Sequence, residues 1–316
     1  MLLHQGGRLV GVLPLAWRRR LGLGILDWSG HGVTDYNEAL LDPAVDAPAA
    51  LAALWRAAAG GWGLHVARLT HLPPDSPSTA FFAPRAARTM AGESTWTLSL
   101  PQGGRTAWLA RMPAKLRTNH RRCLRRLDEI DARFCEWSPG EPMAPYLDAL
   151  VAQKRAWSRA MGVPTILDQA AGEAFVRAVA ERLAARDALH LAGLRIGEQF
   201  IACMLNFVSH GTLYGYTVTR DQAWNHLGPG RTLILDLIGN CCERRLAQID
   251  LLGGDQEFKQ RFGFQPTQLR NLTLSCGPIG RAVLAARRVI EATGGQGLLT
   301  RLAAGRAPAP ASREPG

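Results

Sequence analysis

The chain has 316 residues, of which 47% are hydrophobic and 20% charged, a composition typical of a globular protein long enough for two domains. No apolar run approaches the roughly 20 residues that cross a bilayer, and no signal peptide is recognisable, so we predict a soluble, cytoplasmic protein. The net charge is +11, but only three of the 37 basic residues are lysines. This preference for arginine is also a mark of GC-rich genomes, so part of the basicity is compositional and does not by itself indicate nucleic-acid binding.

The first hundred residues predict an α/β unit in which several strands precede the first long helix. Apolar alternation and turn residues separate the elements. We predict strands at 8–15, 23–28, 37–41, 62–70 and 94–100, a helix at 46–59 and a short helical piece at 79–87.

The next part of the chain is helical and then changes to strands. We predict one helix at 106–130, two further helices ending near 183, strands at 190–196, 200–208 and 212–218, and a helix at 231–246. Short turns join the three strands, so they should pair antiparallel. A short strand at 249–252, a short helix at 256–262 and a strand at 268–276 follow. A basic helix then leads into a tail that we expect to be disordered from about residue 305.

The cysteines and histidines give no indication of a metal site. The six cysteines show no C-x-x-C spacing, and several of them lie within apolar patterns, where a thiol packs as a small buried group. The eight histidines form no H-E-x-x-H motif, so we interpret each as structural. We therefore predict neither a bound metal nor a disulfide.

A glycine-containing turn between a predicted strand and a predicted helix is the most informative motif. It reads Asn225-His226-Leu227-Gly228-Pro229-Gly230-Arg231-Thr232. Backbone N–H groups and the dipole at a helix start can hold a phosphate, so this order indicates a phosphate-bearing cofactor. The alternative is an ordinary turn in which the glycines only let the chain change direction.

The order of elements around this turn resembles the GNAT acyltransferase superfamily. That family carries Gln/Arg-x-x-Gly-x-Gly/Ala where the pyrophosphate of acetyl-CoA binds, and often a helix ending in Gly-Phe. Here Gly228 and Gly230 match, Phe262-Gly263-Phe264 ends the short helix, and Asn225 replaces the usual Gln or Arg. The resemblance implies an acyl-CoA, with acetyl-CoA as the expected cofactor.

A longer similarity covers residues 8–266. Lys115-Leu116-Arg117, Arg121-Arg122, Gly11-Val12-Leu13-Pro14-Leu15 and Asp255 to Lys259 resemble the cellulose-biosynthesis-type acetyltransferases. That resemblance implies an α/β fold of mixed sheets with two tandem GNAT-like domains, as in the Fem-type aminoacyltransferases. It places a partial N-terminal domain at 1–100, truncated at its start, a C-terminal domain at 101–280, and a basic helix and tail at 281–316.

The resemblance also suggests roles for individual residues. The strand before the turn should supply an oxyanion donor near residues 216–218, and Tyr214 or Tyr216 could protonate the leaving thiolate. The tyrosines could equally be packing aromatics, and Asp255, the third catalytic candidate, could simply cap a helix. The cofactor-binding candidates are Val218, Asn225, Leu227, Gly228, Gly230, Arg231 and Thr232.

Basic and aromatic residues elsewhere are candidates for binding the acceptor. Lys115, Arg117 and Arg121 lie on a basic helix face that could bind a phosphorylated or acidic acceptor, although such faces are often only solvated. Trp157 could stack on a sugar, or pack in the core. Glu257 and Lys259 follow a strand end, where substrate clefts of α/β folds open.

Three functions remain open from the sequence. The leading one is transfer of an acyl group, expected to be acetyl, from acyl-CoA to an amine or hydroxyl acceptor, in particular a saccharide or an envelope-polysaccharide precursor. The second retains the fold but uses an aminoacyl-tRNA donor, which would make tRNA the nucleic-acid partner. The third is a non-catalytic scaffold, which Asn225 and the absence of an evident general base favour. The oligomeric state is not predicted.

Overall fold

The computed structural model describes residues 1–30, 32–60, 63–254 and 257–293. The chain divides into two compact units: residues 1–92 with the segment from Leu269 onward, and residues 93–268. Among the described residues, no helix has both the length and the apolar character needed to cross a bilayer.

The first unit contains a small and a larger sheet. Strands β1 (Leu2–Gln5), β2 (Arg8–Val12) and β5 (Leu40–Leu41) form the small antiparallel sheet. The larger sheet has the order β3-β4-β6-β13, with β3 at Leu15–Arg20, β4 at Leu23–Trp28, β6 at Leu64–Leu72 and β13 at Gln265–Ser275. Strands β4 and β6 are parallel. Helix α1 (Ala47–Gly60) connects them, which makes a strand–helix–strand crossover.

Helices cover the apolar side of this sheet. Leu51 of α1 and Phe82 of α2 (Pro77–Phe82) are fully buried with Trp28 in one core. Helix α9 (Gly277–Ala292) packs on β6. A Cβ at Gly280 would lie 1.9 Å from the carbonyl oxygen of His65, so only glycine permits this approach.

The second unit is built on a sheet in the order β7-β12-β11-β10-β9-β8. Its strands are β7 (Arg88–Ser99, which begins in the first unit), β8 (Ala132–Glu136), β9 (Leu189–Ile196), β10 (Gln199–Ser209), β11 (Thr212–Arg220) and β12 (Gln248–Asp250). Strands β8 to β11 form an antiparallel meander, as predicted, and β11 pairs parallel with β12.

Helices cover both faces of this sheet. Helices α3 (Gly104–Arg111), α4 (Ala114–Asp128) and α7 (Pro229–Glu243) share one core with the sheet, and α5 (Ala144–Met161) and α6 (Ala170–Ala184) share another. Met204 of β10 belongs to the first core and Leu205 to the second, as alternation along a strand requires. Helix α8 (Glu257–Arg261) follows β12. Both units therefore contain a crossover between parallel strands, within a mixed α/β fold.

The structure corrects one predicted helix and adds several strands. The helix predicted at 106–130 is two helices, because Met112 is extended (φ −66°, ψ 132°) before Pro113, whose ring disfavours a helical conformation at the preceding residue. The strand predicted at 8–15 is β2 followed by β3, and β1 and β8 were not predicted.

The division by contacts also differs from the domain boundaries expected at residues 100 and 280. Strand β13 pairs with β6, and α9 packs on β6, so the segment from Leu269 belongs with the first unit.

Candidate functional site

The parallel strands β11 and β12 separate after three residue pairs. Thr212 pairs with Gln248, Leu213 with Ile249 and Tyr214 with Asp250. The N–H of Leu251 then donates to the carbonyl of Trp96 on β7, 2.8 Å away, so the chain after β12 follows β7 rather than β11. Strand β11 continues to Arg220 without its parallel neighbour. The result is a splay, the gap beside β11 that begins at Gly215.

A β-bulge lies at the start of this splay. Leu205 of β10 pairs with Thr217, but the next residue, Asn206, pairs with Gly215, which leaves Tyr216 as the extra residue of β11. A bulge interrupts the ladder and changes the direction of the local backbone groups. It falls within the segment that we expected to supply the oxyanion donor.

The two candidate tyrosines are half-buried on β11. Tyr214 stacks on Phe207, with ring centroids 4.9 Å apart and an interplanar angle of 14°. Tyr216 packs against the core shared with α5 and α6. Both have packing partners, so packing is part of each tyrosine's role whether or not either takes part in proton transfer.

The glycine turn follows the end of β11. A 3-10 helix at Gln222–Leu227 leads to Gly228, which adopts the left-handed conformation (φ 67°, ψ 42°) and caps α7. Pro229 has no N–H, and the amide of Thr232 donates to the Gly228 carbonyl at 3.1 Å. Within the described part of the chain, the amides of Gly230 and Arg231 have no backbone acceptor. Two N–H groups are therefore left for a ligand at the positive end of a 15-residue helix.

The space beside Gly230 is not crowded. A Cβ built there would lie 3.6 Å from Cδ of Arg220 and 3.9 Å from Cγ2 of Val218, which are ordinary contact distances. Packing within the chain therefore does not require glycine at this position. At Gly228 the left-handed conformation does favour glycine.

The remaining cofactor candidates divide between the core and the surface. Leu227 and Thr232 are buried, and the Thr232 hydroxyl donates to the Gly228 carbonyl at 3.2 Å. Asn225 is exposed, and its Oδ1 accepts from Nε of Arg220 at 2.6 Å. Arg231 is exposed, with Nη2 lying 3.8 Å from the position of a Cβ on Gly228. Two arginines therefore flank the turn, and Arg220 was not among the predicted residues.

Helix α4 lies beside the turn. Sγ of Cys123 is 4.0 Å from the position of a Cβ on Gly228. Lys115 and Arg121 are exposed as predicted for a basic face, whereas Arg117 is half-buried and donates to the carbonyl of Leu109 at 3.1 Å. Arg117 therefore ties α4 to α3. The exposed cations of this helix are Lys115, Arg121, Arg122, Arg125 and Arg126.

The other acceptor candidates do not join this basic face. Trp157 is on α5, which covers the opposite face of the sheet, and Nζ of Lys154 lies 4.5 Å from its ring centroid. Burial lowers the pKa of Lys154. Glu257 is exposed and pairs with Arg261 within α8.

Lys259 has a structural position. Only 3% of the residue is exposed, and Nζ lies 2.6–3.3 Å from the carbonyl oxygens of residues 251–254. Its ammonium therefore holds the loop after β12 and does not face solvent. Asp255, the third catalytic candidate, lies outside the described residues.

A buried charged cluster joins the helices behind the turn. Asp236 of α7 accepts from Nη2 of Arg105 on α3 at 3.1 Å, and Nε2 of His120 on α4 is 3.6 Å from the same carboxylate. Burial raises the pKa of Asp236 to about 6. Burial, aided by the charge of Arg105, lowers the pKa of His120 to about 4. The cluster ties the basic helix to the helix that begins at the turn.

Comparison with known proteins supports the interpretation of the turn. Residues 114–260 match the family model of the Acetyltransferase (GNAT) domain. This segment therefore resembles a GNAT acetyltransferase domain. The match includes α4, the splay, the glycine turn and α7. No curated protein matches the chain by sequence.

Solved structures resemble more of the chain than residues 114–260 alone. FemX matches with a TM-score of 0.59 at 9% identity, covering 85% of this chain and 86% of its own. The C-terminal (DUF2156) domain of a protein from Agrobacterium fabrum matches with a TM-score of 0.57 at 13% identity, covering 86% and 84%. L-PGS from Bacillus licheniformis matches with 0.54 at 9% identity, covering 89% and 86%. At these identities the likeness concerns the fold alone.

Several polar residues of the second unit could not be found by motif. The cluster of Arg105, His120 and Asp236 and a second group, Glu136, His190 and Asn206, depend on contacts between distant parts of the chain. The sequence signal was only a charged or polar residue at an otherwise apolar helical or strand position, for example Asp236 among the leucines of α7.

Proposed function

We propose that this protein is an acyltransferase that uses an acyl-CoA, in the first place acetyl-CoA, and transfers the acyl group to an amine or a hydroxyl. The amides of Gly230 and Arg231 at the start of α7, directly after a strand whose parallel neighbour has separated, carry the proposal. They would hold the pyrophosphate, and Arg220 and Arg231 would add charge. The family match over residues 114–260 supports it.

The splay would then hold the reacting groups. The acceptor amine or hydroxyl attacks the thioester carbonyl and gives up its proton, negative charge develops on the carbonyl oxygen, the C–S bond breaks, and the leaving thiolate takes up a proton. Aligning the two reactants supplies much of the rate increase, and a backbone N–H directed at the oxygen stabilises the developing charge. The bulge at Tyr216 is where we place this donor, because a bulge redirects backbone groups.

Two tyrosines are candidates for the group that transfers this proton. Tyr214 or Tyr216 would protonate the leaving thiolate, since both lie on the strand that borders the splay. A conservative test is to replace each tyrosine by Phe, which keeps the stacking of Tyr214 on Phe207 but removes the hydroxyl. A catalytic role for Asp255 stays a prediction.

The acceptor would be an anionic saccharide or a phosphorylated envelope precursor. Helix α4 lies beside the turn, and its exposed cations favour a negatively charged partner. The similarity to cellulose-biosynthesis-type acetyltransferases points to polysaccharide chemistry, and the crossover in each unit favours two tandem GNAT-like domains.

Calorimetric titration with acetyl-CoA tests the proposal. We expect the wild type to bind, and Gly230→Trp to lose binding because the indole would fill the space beside Arg220 and Val218. Gly230→Ala is the matched control, since its Cβ makes only ordinary contacts and should leave most of the affinity. A folded wild type that binds neither acetyl-CoA nor CoA would overturn the proposal.

An aminoacyl-tRNA donor is the second candidate. The exposed cations on α4, including Lys115 and Arg121, favour it because such a face can neutralise backbone phosphates. The two amides at the start of α7 favour the first candidate, because a tRNA donor has no pyrophosphate to place there. Strongly salt-dependent tRNA binding without CoA binding would identify the second donor.

A further inference from the structure

Polar side chains cross three neighbouring strands on the face of the sheet that α7 covers. Glu136 of β8 lies 2.9 Å (Oε1) from Nε2 of His190 on β9, and Nδ1 of His190 lies 3.2 Å from Nδ2 of Asn206 on β10. His190 and Asn206 are 5% and 0% exposed, whereas the Glu136 side chain is 30% exposed. The line leads from the edge of the sheet to the splay beside β11.

The hydrogen-bond network determines the orientation of each group. The hydrogen bond from His190 keeps the pKa of Glu136 below its usual range, so its carboxylate is ionised and can only accept. Nε2 of His190 therefore donates to Glu136, and Nδ1, which lies against Nδ2 of Asn206, is an acceptor. Asn206 must turn its NH₂ group towards His190. Its Oδ1 consequently points the other way.

That oxygen is the last polar atom in this row of hydrogen-bonded side chains. Oδ1 of Asn206 is buried and has no hydrogen-bond partner among the described residues. It lies 3.5 Å from the position of a Cβ on Gly215, the first residue of β11 beyond the pairs with β12. A buried oxygen without a partner is unfavourable, and it is uncommon in native proteins. The missing donor therefore belongs at the start of the splay.

Leu251 covers this position. Its Cδ2 would lie 2.8 Å from a Cβ on Gly215, so the leucine packs directly on the glycine backbone. Leu251 follows β12, where the chain turns towards β7. A ligand group that approaches Oδ1 beside Gly215 would therefore meet this side chain.

We propose that Asn206 is a binding residue for the pantetheine arm of the acyl-CoA, with Glu136 and His190 as the positioning residues that orient its amide. The inference rests on the proposed function. The arm runs from the pyrophosphate to the thioester and contains two secondary amides, whose N–H groups need acceptors. With the pyrophosphate at Gly230, beyond the end of β11, the arm extends back along that strand, and Oδ1 of Asn206 receives one of these N–H groups.

Calorimetry on the full chain tests this assignment with two probes, acetyl-CoA and adenosine 3′,5′-bisphosphate, which lacks the arm. In Asn206→Ser a hydroxyl still reaches towards His190, but no acceptor reaches Gly215. We expect about tenfold weaker binding of acetyl-CoA, the effect of one lost hydrogen bond, and unchanged binding of the bisphosphate.

His190→Gln checks the positioning role separately. Glutamine can donate to Glu136 and accept from Asn206 as the imidazole of His190 does, so acetyl-CoA binding should stay within about threefold, whereas His190→Leu should weaken it as Asn206→Ser does. Equal acetyl-CoA affinity for wild type and Asn206→Ser would overturn the assignment and leave the proposed function standing. Equal losses for both probes would also overturn it, because only a general structural role predicts them. If the folded wild type does not bind acetyl-CoA, the assignment and the proposed function both fail. If Asn206→Ser does not fold, the Gln and Leu replacements at His190 decide the outcome.

Discussion

Replacing Asp236 by Asn should change how the stability of the protein depends on pH. Asp236 and His120 are buried beside each other, with a carboxylate-to-imidazole distance of 3.6 Å, and Arg105 binds the same carboxylate. The pKa of Asp236 is raised from 3.8 to about 6, and the pKa of His120 is lowered from 6.5 to about 4. Protonation of the two groups therefore changes the free energy of unfolding in opposite directions.

The signs follow from the two shifts. The stability linked to Asp236 is fully present below about pH 4 and is lost as the pH rises through 6. The stability linked to His120 is present above pH 6.5 and is lost as the pH falls towards 4. Each pKa unit corresponds to about 1.4 kcal/mol, so each group changes the free energy of unfolding by about 2–3 kcal/mol between pH 4 and 7. In the wild type the two contributions nearly cancel.

In Asp236→Asn only the contribution of His120 is left. We expect the variant to lose about 2 kcal/mol more stability than the wild type when the pH is lowered from 7 to 4, measured by urea unfolding at several pH values. Other carboxylates titrate in both proteins and drop out of the difference. His120→Gln is the matched control. Because only the contribution of Asp236 is left in this variant, it should gain stability relative to the wild type when the pH is lowered from 7 to 4. Parallel pH curves for the wild type and both variants would refute the coupling.

Three further predictions concern the splay and the turn. Gly215→Ala should destabilise the protein by about 1–3 kcal/mol, because the new methyl group overpacks against Leu251. In a double-mutant cycle, Leu251→Ala should remove that destabilisation. If the two substitutions change the free energy of unfolding additively, the contact is contradicted. Lys259→Met should lower the free energy of unfolding by about 3 kcal/mol, because it leaves buried carbonyls without a donor. The exposed Glu257→Ala should change it by no more than about 0.5 kcal/mol. Similar urea midpoints for the two variants would exclude a structural role for Lys259. Gly228→Ala should cost about 1 kcal/mol for its left-handed backbone, and an unchanged melting temperature would contradict that.

Local sequence patterns predicted the part of the fold that surrounds the turn. Strands β9, β10 and β11 were placed within about two residues of their ends, because alternation and short glycine turns are local signals. The break at Pro113 was also visible locally, but the apolar stripe continued through it and favoured one helix. Strand β1 was missed because it is short and largely exposed, and β8 because its five residues are mostly half-buried, so neither shows a clear alternation.

The candidate site was predictable only where its residues are adjacent in sequence. The turn from Asn225 to Thr232 is one segment, so its glycines and their place before a helix could be recognised. The bulge at Tyr216 depends on the register between β10 and β11. The burial of Lys259 depends on where the loop after β12 folds. Asn206 meets a histidine 16 residues away, and that histidine meets a glutamate 54 residues away.

The way the turn is built determines what kind of ligand it can hold. Leu227 and Thr232 face the core, so the turn offers a ligand two backbone amides and the side chains of Arg220 and Arg231. A group held mainly by amides and a helix end is bound at short range, so its affinity should depend only moderately on salt. A long polyanion on α4 would instead release many counterions and bind with a steep salt dependence. The two donors considered for this fold therefore differ in the interaction that holds them, and the amides of the turn favour the smaller one.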